Sequence, residues 1–209
     1  MKRNHFLQLI IFCFYLFASF KVWANPDSQS AIMWVNATGR ELLETFNEKD
    51  MSKKHQKLDE MFLKHVDLNY ISKFVVGKYW RQMNKEQQAK YQNLFQRYCM
   101  NIYKGFPLDF KNKINFKVNN ADCQSDYCEI STLVDIGIKN NQEQEQVFVV
   151  GFRVHKQDNS WKIIDLKLAE SSLLLSYRNR FYDMISAVDG EIDLVLEDLE
   201  NSLKSVSHN

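Results

Sequence analysis

Apolar residues in the first half of the chain recur every three or four positions, which is the period of an amphipathic helix. The pattern predicts four helices in this half, over residues 28–49, 53–65, 68–80 and 84–106. The last of them has the longest apolar stripe, made of Tyr91, Leu94, Phe95, Tyr98 and Ile102. The first half of the chain is therefore predicted to be helical.

Polar residues mark where two of these helices begin and where one ends. Asp67 directly precedes the apolar run of the third helix and is expected to be its N-cap. Asn84 has Gln87 three residues further on, which is the spacing of a capping box. Pro107 is expected to end the fourth helix, because proline lacks the backbone N–H that a helix needs.

The middle of the chain changes to the alternating pattern of β-strands. Strands are predicted over residues 113–118, 128–139, 146–156 and 160–168. The links between them are short and polar, so the strands should form an antiparallel meander. One face of this sheet should be strongly apolar, because it carries Ile130, Val134, Ile136, Ile138, Phe148, Val150, Phe152 and Val154.

The segment WKIIDLKLAESSLLLSYRNRF, residues 161–181, begins as a strand and ends as a helix. Ser171 or Ser172 is expected to cap this helix, because serine is a preferred N-cap residue. The predicted C-terminal helices cover residues 172–188 and 191–204, and Asp189-Gly190 separates them.

Asp165 lies in the strand part of that segment, among apolar neighbours. A buried carboxylate needs a partner, and we expect it to pair with Arg178 or Arg180 after the chain turns back. With Arg178 it would form a structural corner. The alternative is that Asp165 acts as a general acid or base.

The order of helices, meander and helices predicts an α+β fold, with several helices packed against a curved antiparallel sheet of four or slightly more strands. The helices and the sheet should face each other with their aromatic residues. These are Phe74, Tyr79, Trp80, Phe95, Tyr98, Phe148, Phe152, Tyr177 and Phe181. A solid core and a cavity are both compatible with this pattern.

Composition and motifs exclude several classes of function. The chain has 209 residues and a formal net charge of +1, so it lacks the basic excess typical of nucleic-acid binding. It contains no nucleophile elbow, zinc-protease motif, phosphate-binding loop or dinucleotide-binding motif. No cysteine or histidine spacing indicates a metal site. We therefore expect no cofactor and no catalytic residues.

The first 24 residues have the pattern of a secretory signal peptide. Lys2 and Arg3 precede an apolar run of about 15 residues, and Val22 and Ala24 occupy the positions that precede cleavage. A membrane-spanning helix needs roughly 20 apolar residues. An uncleaved membrane anchor is the alternative to export and cleavage.

Three cysteines remain after residue 24. Cys123 and Cys128 bracket the turn-like sequence QSDY, so a disulfide between them would close a short loop where two strands meet. Export to an oxidising compartment favours such a bond. Cys99 lies within a helical pattern and is expected to be a small buried apolar residue.

Two further motifs follow one another along the chain. The first motif is carried by Phe74, Gly77, Trp80, Arg81 and Phe95. The second is carried by Trp161, Ile163, Asp165, Ser172, Leu173, Tyr177, Arg178 and Phe181. In this order the two motifs resemble those of the MlaC-type periplasmic phospholipid carriers, also called the toluene-tolerance auxiliary family, and the resemblance extends over roughly residues 28–203.

The resemblance implies one carrier domain over residues 25–209, with helices at 28–106, a sheet at 113–168 and C-terminal helices at 171–204. Its cargo would be a single phospholipid with its acyl chains in an apolar pocket between sheet and helices. The implied pocket residues are Phe74, Tyr79, Trp80, Phe95, Tyr98, Ile102, Phe148, Val150, Phe152, Leu174, Tyr177 and Phe181.

The resemblance also implies a periplasmic monomer that exchanges lipid with two membrane complexes and maintains the lipid asymmetry of the outer membrane. One is an inner-membrane ABC transporter with an MCE-domain ring, and the other is an outer-membrane complex of a lipoprotein and a porin. Three alternatives stay open: a carrier of another lipid such as a hopanoid, a periplasmic enzyme with Asp165 as its base, and a periplasmic holdase chaperone.

Overall fold

A computed structural model describes residues 26–104, 114–139 and 145–206 of the protein. The α-helices are α1 (Pro26–Phe46), α2 (Met51–His65), α3 (Leu68–Val76), α4 (Lys85–Lys104), α5 (Leu173–Ala187) and α6 (Ile192–Val206), and a 3₁₀ helix covers Gly77–Arg81. The strands are β1 (Asn115–Gln124), β2 (Tyr127–Lys139), β3 (Glu145–Gln157), β4 (Ser160–Leu168) and β5 (Ser171–Ser172). The predicted signal peptide lies outside the described residues, and so does Pro107.

The strands form one sheet in chain order, β1-β2-β3-β4-β5, and every neighbouring pair is antiparallel. The predicted meander and the α+β fold class are confirmed. The fifth strand has only two residues and pairs Ser171 and Ser172 with the end of β4. Strand β1 runs six residues beyond its predicted end at Val118, because NNADCQ continues the pairing with β2 after a register shift between Val118 and Asn120 that interrupts the alternation.

The predicted caps explain where the helices begin. Asp67 accepts a hydrogen bond from the Tyr70 N–H (2.8 Å) at the start of α3. Asn84 and Gln87 form a reciprocal capping box before α4, with bonds of 2.9 and 3.0 Å. Asp50 was not among the predicted caps, but it caps α2 by accepting from two backbone N–H groups. Helix α2 therefore begins at Met51 rather than at residue 53.

The helix predicted over 68–80 is two elements in the structure. Helix α3 ends at Val76, and a 3₁₀ helix begins at Gly77, whose φ of +52° lies outside the α-helical range. A Cβ at Gly77 would overlap the Tyr182 hydroxyl and the Arg178 guanidinium. Glycine is therefore required here both by backbone conformation and by the close approach of α5.

Buried apolar residues form two separate clusters. The helix core lies between α3, the 3₁₀ helix, α4, α5 and α6, and contains no residue of the sheet. The sheet core lies between α1 and one face of the sheet, and its buried members are Ala31, Val35, Cys128, Ile130, Val154 and Trp161. The chain thus packs its α4–α6 helices mainly on one another and its first helix on the sheet.

Candidate functional site

The apolar face of the sheet is covered at one end and open at the other. Along β3, Val154 is fully buried, Phe152 and Val150 are half-buried, and Phe148 is 41% exposed. Leu168 lies beside Val150 in the antiparallel register and is 45% exposed, and Val134 lies beside Phe148. We call the four residues Val134, Phe148, Val150 and Leu168 the open end of the sheet.

Helix α1 covers the other end. Ala31 and Val35 of α1 pack on Ile130 and Val154 of the sheet. The Trp161 indole N–H donates to the Ser30 hydroxyl (3.2 Å), and Lys156 forms an ion pair with Asp27. These polar contacts hold the first turns of α1 against the ends of β3 and β4, so the apolar packing under them is closed.

The helix core is closed as well. The rings of Tyr91, Phe95 and Phe181 contact one another with centroids 5.6–5.9 Å apart, and each ring is at most 1% exposed. The Tyr91 hydroxyl, which has no access to water, donates to the Ser72 carbonyl (3.0 Å). Burial raises the pKa of this hydroxyl well above its usual value. The rings therefore fill the space between α4 and α5 without leaving an open groove.

The predicted pocket residues divide between these regions. Phe95, Phe181 and Leu174 are buried in the helix core, where a role beside a lipid stays a prediction that requires the core to open. The partly buried margin of the helix core holds Phe74, Tyr79, Trp80, Tyr98 and Tyr177, and Ile102 is also half-buried. Phe148, Val150 and Phe152 lie on the apolar face of the sheet. The structure does not bring all twelve residues into one cluster.

At the helix margin, Tyr98 and Tyr177 meet edge to face, with ring centroids 6.1 Å apart. Burial raises the pKa of Tyr177 to about 12, so its hydroxyl stays protonated at neutral pH. The pair presents neutral, half-buried aromatic surface, which is suited to apolar contact.

Two exposed leucines near the strand-to-helix junction were not among the predicted pocket residues. Leu168 is the last residue of β4, and Leu175 lies in the first turn of α5 with 52% exposure. The pattern of β4 alone does not place Leu168, because a register shift beside Arg153 and Val154 interrupts the alternation. Only the pairing of Leu168 with Val150 shows that Leu168 lies on the apolar face of the sheet.

The opposite face of the sheet is charged around Glu129, and the exposed Val147 and Val149 of β3 lie on the same face nearer its open end. Glu129 accepts hydrogen bonds from Lys167 (2.8 Å) and Arg153 (2.6 Å), and the Lys167 bond is the largest cause that lowers the pKa of this carboxyl. Glu129 and Lys167 border a depression of about 250 Å³ that is also lined by Asp122, Glu170 and Val149. A charged surface is unsuited to acyl chains, so the candidate site is the face of Phe148 and Val150, where the apolar residues continue through Phe152 into the sheet core.

Asp165 holds the start of α5. Its carboxylate accepts from the Ser172 hydroxyl (2.6 Å) and from the Leu174 backbone N–H (2.9 Å). Ser172 is the N-cap, and its oxygen in turn accepts from the Leu175 N–H. The carboxylate is buried, as expected, and both of its oxygens are used to join β4 to α5.

The predicted pair between Asp165 and Arg178 is wrong. The Arg178 guanidinium donates instead to the Phe74 carbonyl (3.0 Å) and to the Tyr182 hydroxyl (3.2 Å). The Ser172 hydroxyl and the Leu174 N–H at the helix start satisfy Asp165, so the carboxylate needs no cation. The predicted corner therefore consists of two separate hydrogen-bonded contacts, one between β4 and α5 and the other between α3 and α5.

Cys123 and Cys128 form a disulfide across the turn between β1 and β2, and they are direct partners in the strand register. Cys99 is a free thiol in α4 that packs at the helix core, and burial raises its pKa to about 12. Within the described residues there is no group of three or more histidine, cysteine or acidic side chains able to hold a metal ion.

No helix in the described parts of the chain is long and apolar enough to cross a membrane. Among solved structures, that of the phospholipid-binding protein from Ralstonia solanacearum in complex with a phospholipid has a similar fold. The TM-score is 0.70 at 20% sequence identity, and the match covers 85% of this chain and 98% of that chain. The curated proteins contain no match.

The family model described as MlaC protein matches residues 36–201, which include α2 to α5, the whole sheet, and most of α1 and α6. Both motifs that carried the resemblance lie inside this range. The protein belongs to the MlaC protein family.

Proposed function

We propose that the protein carries one phospholipid, and that the acyl chains bind over the open end of the sheet. The observation that carries this proposal is the graded exposure of the apolar face, from fully buried Val154 to 41% exposed Phe148. The phospholipid bound by the Ralstonia solanacearum protein and the family membership support it.

The energetics of lipid transfer require such a surface. At about 0.8 kcal/mol for each methylene, the two chains of a phospholipid expose on the order of 20 kcal/mol of apolar surface to water. A carrier has to hide nearly all of it. The open end of the sheet, Leu175 and the half-buried pair Tyr98 and Tyr177 are among the described apolar surfaces available for this purpose.

We propose further that the carrier works in the periplasm between an inner-membrane ABC transporter with an MCE-domain ring and an outer-membrane complex of a lipoprotein and a porin. Such transfer would maintain the lipid asymmetry of the outer membrane. The signal-peptide pattern of the first 24 residues and the membership in the family support this location and these partners. The described residues include no arrangement of side chains typical of a catalytic site, which agrees with a binding role.

The test is native mass spectrometry of the protein, expressed with its own N-terminal segment and purified without detergent, followed by lipid extraction. We expect one two-chain lipid for each protein chain. A well-folded protein without lipid would contradict the proposal and return attention to the holdase and enzyme alternatives.

Two matched variants locate the lipid. Phe148→Glu places a charge at the open end of the sheet, and we expect it to lose the co-purifying lipid. Leu194→Glu makes the same kind of change at a residue of α6 that is 47% exposed, and we expect it to keep the lipid. Equal lipid content in both folded variants would contradict a site at the open end.

A further inference from the structure

Helix α3 and the 3₁₀ helix form a strongly basic surface. Residues 68–82 contain Lys73, Lys78 and Arg81 and no acidic residue. Lys78 and Arg81 are exposed and Lys73 is half-buried. Within the described residues, none of these three cations forms an ion pair with a carboxylate. The charge of this surface is therefore not neutralised by neighbouring side chains of the described chain.

Two of the three cations of this surface lie over aromatic rings. The Lys73 ammonium is 5.4 Å from the centroid of the Trp80 ring, and the Lys78 ammonium is 5.0 Å from that of Tyr79. The Arg178 guanidinium of α5 lies between the rings of Phe74 and Tyr182, at 4.9 and 5.1 Å.

Four of the rings form two contacting pairs. Tyr79 contacts Tyr182 edge to face at 5.3 Å, and Tyr70 stacks on Phe74 at 6.3 Å. The Tyr182 hydroxyl also accepts a hydrogen bond from the Lys78 backbone N–H, which ties the 3₁₀ helix to α5. Arg178 joins these two pairs of rings, and Lys73, Trp80 and Arg81 lie on the same α3 and 3₁₀ helices. We call this set of cations and rings on α3, the 3₁₀ helix and α5 the basic aromatic patch.

Another helix of the same layer has the opposite charge. Helix α6 contains Asp193, Glu197, Asp198 and Glu200 and a single cation, Lys204. Glu200 forms ion pairs with Lys204 and with Lys90 of α4, so the exposed carboxylates that make α6 acidic are Asp193, Glu197 and Asp198. An anionic flat surface would be attracted to the α3 side and repelled by the exposed carboxylates of α6.

We propose that the basic aromatic patch docks the protein on the anionic surface of a lipid bilayer. This inference rests on the proposed carrier function, because it concerns the surface through which cargo is exchanged. Tryptophan and tyrosine combine an apolar ring with a polar tip and favour the bilayer interface, whereas lysine and arginine favour anionic head groups. An acidic protein surface would match the charge alone, but the ring of Tyr70, which is 39% exposed, favours the bilayer.

The experiment measures co-sedimentation of the purified protein with vesicles of phosphatidylcholine alone and with vesicles that also contain phosphatidylglycerol. We expect binding only to the anionic vesicles, weakening as salt is added, because exposed charges are screened over about 8 Å at physiological ionic strength. Each Lys or Arg near such a surface contributes about a fivefold increase in affinity.

The test variant replaces Lys73, Lys78 and Arg81 by Gln, and the matched control replaces Arg40, Lys49 and Lys53, three exposed cations of α1, its following loop and α2, in the same way. Arg178 is left unchanged because its hydrogen bonds join α3 to α5. We expect the test variant to lose roughly a hundredfold in vesicle affinity and the control to stay near wild type.

An equal loss in both variants, or wild-type binding that ignores anionic lipid, would overturn the proposal. Binding of the patch to an acidic protein in the absence of vesicles would also overturn the proposal. The lipid content of the test variant by native mass spectrometry separates the two proposals: a lipid-loaded variant that no longer sediments supports docking, whereas a lipid-free wild type contradicts the carrier function itself.

Discussion

The helix core and the sheet core use aromatic and aliphatic residues in different ways. In the helix core, Tyr91, Phe95 and Phe181 are packed ring against ring and have at most 1% exposure. On the apolar face of the sheet, burial decreases along β3 until Phe148 is 41% exposed. The first region is a closed interior, and the second is closed only where α1 covers it.

This difference separates stability from binding. A side chain without exposure contributes to folding through packing, and its loss leaves a cavity. An exposed aromatic residue contributes little to folding and remains available for a ligand. Residues of similar chemistry, such as Phe181 and Phe148, are therefore expected to respond in opposite ways to substitution, and the predictions below test this contrast in order of expected effect.

The largest expected effect is on the stability of the helix core. Phe181→Ala should lower the free energy of unfolding by about 4 kcal/mol, because a fully buried ring is removed and its neighbours cannot fill the space. Phe148→Ala should lower it by less than about 1 kcal/mol. Urea denaturation of both variants makes the comparison, and similar losses would mean that the two regions are not different in packing.

The next test concerns the hydrogen bonds by which Asp165 connects β4 to the start of α5. Asp165→Ala should lower the free energy of unfolding by about 2–3 kcal/mol, because the buried Leu174 N–H loses its acceptor and the Ser172 hydroxyl loses a charged partner. Asp165→Asn retains an acceptor and should cost less. Chemical denaturation measures both, and equal effects of the two substitutions would contradict the hydrogen-bonding account.

The disulfide should contribute less than these contacts. Replacing Cys123 and Cys128 together by Ala should lower the free energy of unfolding by at most about 2 kcal/mol, because the bond closes only a short loop that is already a hairpin. The matched measurement is denaturation of the wild type with and without a reductant.

Under non-denaturing conditions the Cys99 thiol should stay unreactive toward an alkylating reagent, because burial raises its pKa to about 12.

The smallest effect concerns pH and the contact between α1 and α2. Burial lowers the pKa of His65 from its ordinary 6.5, although a hydrogen bond with Glu41 opposes the shift. The unfolded state therefore binds a proton more readily, so stability should fall as pH decreases below about 6.5 toward the folded-state pKa.

Thermal denaturation between about pH 5 and pH 7.5 covers this window. His65→Gln should show a flatter dependence of stability on pH than the wild type. His55→Gln, on the same helix, controls for the loss of an imidazole. An unchanged slope in His65→Gln would exclude His65 as the source.

Local patterns predicted most of the fold. The apolar periods identified every α-helix and the four long strands, and Asp67, Asn84 and Ser172 cap helices as expected, because caps depend on nearby backbone groups. The break at Gly77 was missed because the apolar period continues through it. Only the close approach of Arg178 and Tyr182 shows why glycine is needed there.

The site was harder to predict than the fold. Periodicity shows that Phe95 and Phe148 each lie on an apolar face, but it does not show how many residues pack around each ring. Asp165 illustrates the same limit, because its burial was predicted and its partner was not. A charged partner and a helix N-terminus satisfy a carboxylate equally well, and the choice depends on where the chain turns back.

The most direct test of the central claim is photo-crosslinking with a phospholipid that carries a diazirine in its acyl chain, loaded into the protein and mapped by mass spectrometry. The account predicts crosslinks to the open end of the sheet, at Val134, Phe148, Val150 and Leu168, and few to Tyr91, Phe95 and Phe181. Crosslinks concentrated in these three rings would contradict the account, because the acyl chains would then occupy an opened helix core instead of the apolar face of the sheet.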